Sequence, residues 1–337
     1  MSNSNYASGN VSQRSTKNRK RRKRKRIFKR FIAVCLVVIA IGSGVLAAKV
    51  KYEVNDVFST MSHDTTSDLS DLLSDSNLLS DIEIVNILVI GSDKRATWKQ
   101  GRSDSTMIAT IDNKNKQLKL TSLMRDMYVD IPGHGKSKFN AAYSLGGVEL
   151  LYQTIAQNFN LKLDGYVLVD FEAFINLINE VGGVEVNLNK EEYEYLTTAY
   201  HRGTVLDVVE GPQTMNGKQA LAYTRIRQVG NNDFERTQRQ RNVMASLFVK
   251  AKSMPLTKLY SLGKTVLPYI TTDLTEQEIM SYAKTVLFMG TTQIYQQRIP
   301  IDNSFRNMKV GKALVLDVDL EQNQQALGEF IFQPAAE

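Results

Sequence analysis

The chain has 337 residues, 42% of them hydrophobic, and a formal net charge of +7. That is length for one large domain or two small ones. A single cysteine, Cys35, excludes an intrachain disulfide, and with only His63, His134 and His201 beside it the chain lacks the spacing of a zinc site. The positive charge is local: residues 1–30 carry twelve Lys/Arg and no Asp/Glu, and without them the remainder stands at −5.

That basic tail runs into Phe31–Ala48, eighteen uncharged apolar residues, at the lower end of what spans a bilayer. Cations on its N-terminal side predict a signal-anchor with the N-terminus in the cytoplasm and the body outside the cell membrane. A cleaved signal peptide is the competing reading. The run exceeds the usual h-region of about 7–15 residues, and the small-residue site near Ala47 is only partial. A basic segment abutting a span reads anionic lipid headgroups more simply than nucleic acid. Residues 49–83 include a Ser/Asp/Thr-rich stretch with sparse leucines and read as an extracytoplasmic stalk.

The globular domain is expected over 84–337. IVNILVIGSD is an apolar run ended by Gly91, Ser92 and Asp93, the form of a buried strand. Asp93 falls at its carboxyl end, where open α/β sheets place ligands. After Gly101-Arg102-Ser103-Asp104 come the strand TMIATID and its hairpin partner QLKLTSL, then Arg125 and Asp126. YVDIPGHGK is a short strand and turn, followed by Lys138 and a helix with Leu151, Ile155 and Phe159 at one-turn spacing. YVLVD is a strand. Phe171, Phe174, Ile175 and Ile178 mark a helix ended by Gly182-Gly183. VEVNL is a strand, 215–222 a short helix, 255–290 a helical region, TQIYQQRIP a late strand and the tail from Leu320 a helix. Strands alternating with helices predict an α/β fold, an α-β-α sandwich with a mixed central sheet, preceded by one transmembrane helix.

The chemistry concentrates in Tyr223–Arg241, YTRIRQVGNNDFERTQRQR, with five arginines. An extended reading of 223–227 puts Tyr223, Arg225 and Arg227 on one face. Gly230, Asn231 and Asn232 supply a turn, and Asp233 is a candidate N-cap. On the helix that follows, Arg236 and Gln240 lie one turn apart, with Arg239 beside them. Guanidinium forks converging this way suit a pyrophosphate. A solvated face with surface ion pairs is the plainer alternative, and the apolar frame of Arg225 and Arg227 argues against it. Asp93 and Asp104 could meet at one sheet edge, and two carboxylates with a substrate phosphate are how proteins usually hold Mg²⁺. There is no Walker loop and no G-x-S-x-G elbow.

The ordered string GSDKR, RSDSTMIATI, SLMRD, KFNAAYSLGG, NEVGGVEV, MNGKQALAYTRIR and DFERTQRQR resembles the LytR–CpsA–Psr family of bacterial envelope proteins over a motif core of 84–252. The resemblance implies an α-β-α fold and a Mg²⁺-dependent phosphotransferase, with Mn²⁺ as the alternative ion. Its substrate would be a glycopolymer, teichoic acid or capsular or other polysaccharide, moved from a polyprenyl-pyrophosphate carrier onto peptidoglycan. It puts the metal ligands on Asp93 and Asp104. It puts pyrophosphate-binding groups on Arg95, Arg102, Lys138, Arg225, Arg227, Arg236 and Gln240, and catalytic roles on Asp93, Asp104, Asp233 and Arg125. Leu123-Met124 and Glu235 depart from the pattern, the second by placing a carboxylate beside the arginines. The other function classes are a polyprenyl-pyrophosphate hydrolase with the same site and a membrane-bound transcriptional regulator.

Overall fold

The computed structural model describes residues 61–64, 77–92, 103–199 and 206–335. The expected tail 1–30, the expected span 31–48 and most of the expected stalk lie outside the described residues. Among the described residues no helix is long and apolar enough to cross a membrane.

Strand β1 (Ser62–His63) is followed by β2 (Ile84–Ser92), β3 (Ser103–Asp112), β4 (Gln117–Leu123), β5 (Met127–Ile131) and β6 (Gly135–Lys138). Helix α1 (Ala141–Phe159) leads to β7 (Gly165–Asp170) and α2 (Phe171–Glu180). Then come β8 (Val184–Leu188), α3 (Lys190–Glu194), β9 (Gly211–Met215), α4 (Gly217–Thr224) and α5 (Asn232–Lys252). The last third holds α6 (Leu256–Val266), β10 (Ile270–Thr272), α7 (Glu276–Phe288), β11 (Ile294–Ile299), β12 (Phe305–Val310), β13 (Ala313–Val318) and α8 (Leu320–Phe332).

The main sheet has the order β1-β10-β7-β2-β3-β4-β11, and a smaller one has β12-β13-β5-β6. Strands β2, β3 and β4 pair antiparallel as the hairpin reading expects, while β2 with β7 and β4 with β11 are parallel, so the sheet is mixed. Its edge strand β1 pairs with β10, and Leu79 bridges Leu161. The folded body thus draws on residues that the sequence suggests are stalk.

Along β2 burial alternates strictly. Ile84, Leu88 and Ile90 pack with Leu151, Ile155 and Phe159 of α1 and Leu327 and Ile331 of α8. Val89 and Gly91 look the other way, toward α2, α4 and α5. That second layer has its own core, built from Ile178, Val186, Met215, Ala220, Val243 and Leu247. Helices therefore cover both faces, as a sheet apolar on both sides requires. On the α8 side, fully buried Lys119 donates to Asp112 at 2.7 Å and to the carbonyls of Ile331 and Gln333 at 2.9 and 2.8 Å. All three donors are satisfied, so this cation pins the C-terminal end of α8, where the helix dipole favours positive charge.

Three expectations change. Residues 223–227 are not a strand: α4 runs through Thr224, and Arg225 is its C-cap at φ −105° and ψ −1°. The helical reading of 255–290 is broken by β10, and the β12–β13 hairpin has no counterpart in the sequence reading. The helix α4 begins hard against α2. A Cβ on Gly217 would lie 2.3 Å from the Ile175 carbonyl oxygen, a contact only glycine permits.

Candidate active site

Between the main sheet and the α2–α4–α5 layer lies an open pocket. Its walls are apolar: Val89 and Ile90 from β2, Met107 from β3, Val169 from β7, Phe171, Phe174 and Leu177 from α2, Leu221 from α4 and Met244 from α5. Arg225, Arg227, Arg236 and Gln240 also line it. The pocket sits at the carboxyl ends of β2 and β7, where the sequence places the ligand. Those four groups therefore line one pocket, although the strand expected for two of them is a helix end and a loop. Helix end, loop and helix start bring together the four groups expected to do so.

The local chain dictates this. Tyr223 and Ile226 are buried, and between and after them Arg225 and Arg227 are turned to the pocket. Arg225 lies over the Phe171 ring, 5.0 Å from its centroid. Arg239, 2% exposed, points away from the pocket. It donates to Glu192 at 2.6 Å and to the carbonyls of Ile226 and Val229 at 3.3 and 3.2 Å. It thereby fixes the loop that carries Arg227 from the helix behind. Gly230, at φ +70°, closes that loop, and a Cβ there would meet the Glu235 side chain at 2.8 Å. Glu235 itself turns to Arg239, 3.6 Å away, so the carboxylate that departs from the family pattern leaves Arg236 alone.

Asp233 is not the N-cap of α5; Asn231 occupies that position. The Asp233 carboxylate instead accepts from Arg236 at 2.8 Å and from Arg125 at 3.0 Å. Arg125 also lies 3.5 Å from Asp126, which holds Lys138 at 2.6 Å. Charges thus alternate from Lys138 through Asp126, Arg125 and Asp233 to Arg236. Lys138 and Arg125 do not line the pocket. Burial pushes the Asp233 carboxyl up, but Arg236, Arg125 and Arg227 outweigh it and hold it below the usual carboxylate range. Burial lowers the Arg236 guanidinium, opposed by Asp233. Asp170, at the end of β7, caps α2 by accepting from the Ala173 N–H at 2.8 Å.

Asp93, Arg95 and Arg102 lie outside the described residues, and for Asp104 only its backbone place in β3 is described. That backbone is informative. Gly91 pairs with Ser105 but Ser92 pairs with Ser103, so Asp104 is the extra residue of a β-bulge. Ser92 and Ser103, each next in sequence to one of the two expected metal ligands, are paired, buried, and have hydroxyls without a hydrogen-bond partner. Among the described residues no three His, Cys, Asp or Glu converge as a metal cluster.

Sequence reasoning missed the apolar walls, because their residues come from six elements and look like ordinary core. Arg241 is 4% exposed, and burial, with Arg298 nearby, lowers its guanidinium to about 10.

The family model described as LytR_cpsA_psr matches residues 48–329. The regulatory protein MsrR of Staphylococcus aureus is 32% identical over 251 residues, covering 73% of this chain and 74% of that one. The polyisoprenyl-teichoic acid–peptidoglycan teichoic acid transferase TagU of Bacillus anthracis is 34% identical over 255 residues, covering 74% and 80%. Among solved structures, Bacillus subtilis TagV aligns with a TM-score of 0.63 at 28% identity, covering 76% of this chain and 100% of that one. TagT bound to LI-WTA aligns with a TM-score of 0.62 at 25% identity, covering 75% and 92%.

Proposed function

The chain belongs to the LytR–CpsA–Psr family, and from that premise we propose that it transfers a cell-wall glycopolymer from a polyprenyl-pyrophosphate carrier to peptidoglycan. The observation that carries this reading is the pocket's two-part chemistry. Apolar walls take a prenyl chain, and Arg225, Arg227, Arg236 and Gln240 take the diphosphate at its head. Among the described residues of the pocket and the charge chain beside it, five are basic (Lys138, Arg125, Arg225, Arg227, Arg236) and three acidic (Asp126, Asp170, Asp233), a surplus that suits an anionic ligand. TagU carries the corresponding activity in its name, and TagT is a solved relative bound to LI-WTA.

In the proposed reaction an acceptor hydroxyl of peptidoglycan attacks the phosphorus next to the glycopolymer. The bond to the bridging oxygen breaks, and polyprenyl phosphate leaves with the electron pair. Charge grows on the bridging oxygen and the transferred phosphoryl group, where fixed guanidinium groups stabilise it without reorganisation. Asp233 is clamped between two arginines and held as a carboxylate, so it positions Arg125 and Arg236. The acceptor's proton then falls to Asp93 or Asp104.

Those two residues would hold Mg²⁺, with Mn²⁺ as the alternative. The register is compatible with this: Ser92 and Ser103 are paired, and Asp104 is the bulge residue beside that pair. Such an ion, when bound, neutralises phosphate oxygens. The body would stand outside the cell membrane, anchored by residues 31–48. The test is incubation of lipid-pyrophosphate-linked glycan with peptidoglycan oligomers. Polymer joined to peptidoglycan by a phosphodiester is the expected product. Released free polymer alone would make the protein a hydrolase, and no turnover of either kind would refute the reading.

A further inference from the structure

The β12–β13 hairpin is a feature that the site does not use. Its tip reads Lys309-Val310-Gly311-Lys312-Ala313-Leu314, and every one of these residues is exposed. Leu314 is 70% exposed and Val310 38%. Lys309 pairs with Leu314 and Val310 with Ala313, so a two-residue turn joins the strands, and Gly311 supplies the positive φ of 59° at its first position.

The tip has a definite place. The Leu316 N–H donates to the Asp126 carbonyl at 2.8 Å, and Leu316 is in register with Met127. Strand β13 runs parallel to β5, so the tip reaches about 13 Å beyond Asp126, at roughly 3.3 Å per residue. It projects on the side where Arg125 and Lys138 stand. Leu145, 49% exposed in the first turns of α1, belongs to the same end of the small sheet. From Asn303 to Leu316 the chain has three cations and no acid, whereas the chain beyond residue 30 is net acidic. Arg306 pairs with Asp317, but among the described residues no carboxylate pairs with Lys309 or Lys312. Lysines on an edge strand also deter strand pairing. That accounts for Lys309 but not for two aliphatic side chains held in water beside it.

We propose that this hairpin tip is a membrane-contact element, in which Val310 and Leu314 enter the outer leaflet and Lys309 and Lys312 engage anionic lipid headgroups. A basic, apolar tip on an acidic body is drawn to an anionic surface in one orientation. That orientation brings the Arg125 end of the site toward the bilayer, where a lipid-linked substrate resides. In this last respect the inference rests on the transferase reading, but its test does not.

The full chain, carrying Cys35→Ser and Leu314→Cys, is labelled with an environment-sensitive fluorophore and reconstituted in phosphatidylglycerol vesicles. Lys114→Cys, on the turn at the opposite end of the main sheet, is the comparison. Position 314 should show blue-shifted emission quenched by acyl-brominated lipid, and position 114 should not. Lys309→Gln and Lys312→Gln should each lower the inserted fraction about fivefold. Water-like emission at 314 overturns the proposal, as does equal insertion into phosphatidylcholine. A shift that needs no lipid and grows with protein concentration also overturns it, and assigns the tip to a second copy of the chain. An inactive protein whose tip inserts would sink the transferase reading alone; an active one whose tip stays wet would sink this inference alone.

Discussion

The two ends of β7 solve the problem of buried charge in opposite ways. At its carboxyl end Arg225, Arg227 and Arg236 line the pocket, and Asp233 pairs with Arg236. At its amino end the Asp164 carboxylate accepts from the Asn86 N–H and the Asp273 carboxylate from the Tyr166 N–H, each at 2.8 Å, while the Tyr166 hydroxyl donates to Asp64 at 2.7 Å. Burial raises both Asp164 and Asp273, with Glu278 adding to it. A carboxylate in that position can relieve itself by taking a proton. A guanidinium cannot shed one at any ordinary pH. The amino end can therefore neutralise itself, whereas the carboxyl end stays charged and suits an anionic ligand.

The largest effect should come from breaking the cation end. Lysine keeps the charge and loses the planar fork. Arg227→Lys and Arg236→Lys should each cut glycopolymer transfer at least tenfold, and by about 10²–10³-fold if each donor meets developing charge. Arg227→Lys should leave thermal unfolding unchanged. Arg236 is 2% exposed, so its replacement should also lower stability, by about 1–3 kcal/mol. The 3.6-residue geometry of α5 suggests Arg241→Lys as a silent control, but its burial rules that out. Arg306→Lys, with a side chain 80% exposed, serves instead and should be silent in both measurements. Equal, small effects at all three positions would reduce the arginine cluster to surface charge.

A middle-sized effect should come from removing the carboxylate held between Arg125 and Arg236. Asp233→Asn leaves Arg125 and Arg236 facing each other, and breaking such a pair costs about 3 kcal/mol. The folded-state carboxyl lies below its ordinary value. Its contribution is therefore present above the unfolded pKa and lost as pH falls through the folded one. The variant should unfold earlier at pH 7 in chemical denaturation and match the parent at the acid extreme. It should bind inorganic pyrophosphate at least as well as the parent, because a competing anion is gone. Weaker binding would mean that Asp233 organises the site more than it competes within it.

How much of this was legible depends on how far apart the residues lie. Arg225, Arg227, Arg236 and Gln240 sit within one short window, so their convergence could be read although the backbone between them was misread. An alternation of buried and pocket-facing residues over 223–227 fits a strand, but it fits a helix C-cap followed by an ordered loop equally well. What decides is Arg239, whose guanidinium holds the Ile226 and Val229 carbonyls from across the loop. That contact has no signature in spacing. The apolar walls were illegible for a related reason, since Val89, Phe174 and Met244 are each ordinary on their own element and become a pocket only when sheet and helical layer meet. The hairpin escaped because an exposed tip breaks the alternation that marks a strand.

The smallest effect tests the acid end and carries the opposite sign. Asp164 and Asp273 have folded-state pKa values raised above the ordinary 3.8. A raised carboxyl contributes stability that is fully present below the unfolded pKa and is lost as pH rises through the folded one. The groups facing them are Glu278, Asp64, Tyr152, Tyr166 and Tyr282, with Lys162 the cation that acts on Asp164. Asparagine retains an oxygen for the Asn86 and Tyr166 N–H donors and carries no charge at any pH. The double variant Asp164→Asn, Asp273→Asn should therefore be no more stable than the parent near pH 4. At pH 7–8 it should be more stable, by at most about 1 kcal/mol, or roughly 2–4 °C in a domain of this size. Thermal unfolding of both proteins across that range is the measurement. If the variant loses stability at pH 7, the two aspartates are held there as anions, and the contrast between the ends of β7 collapses into two paired sites of the same kind.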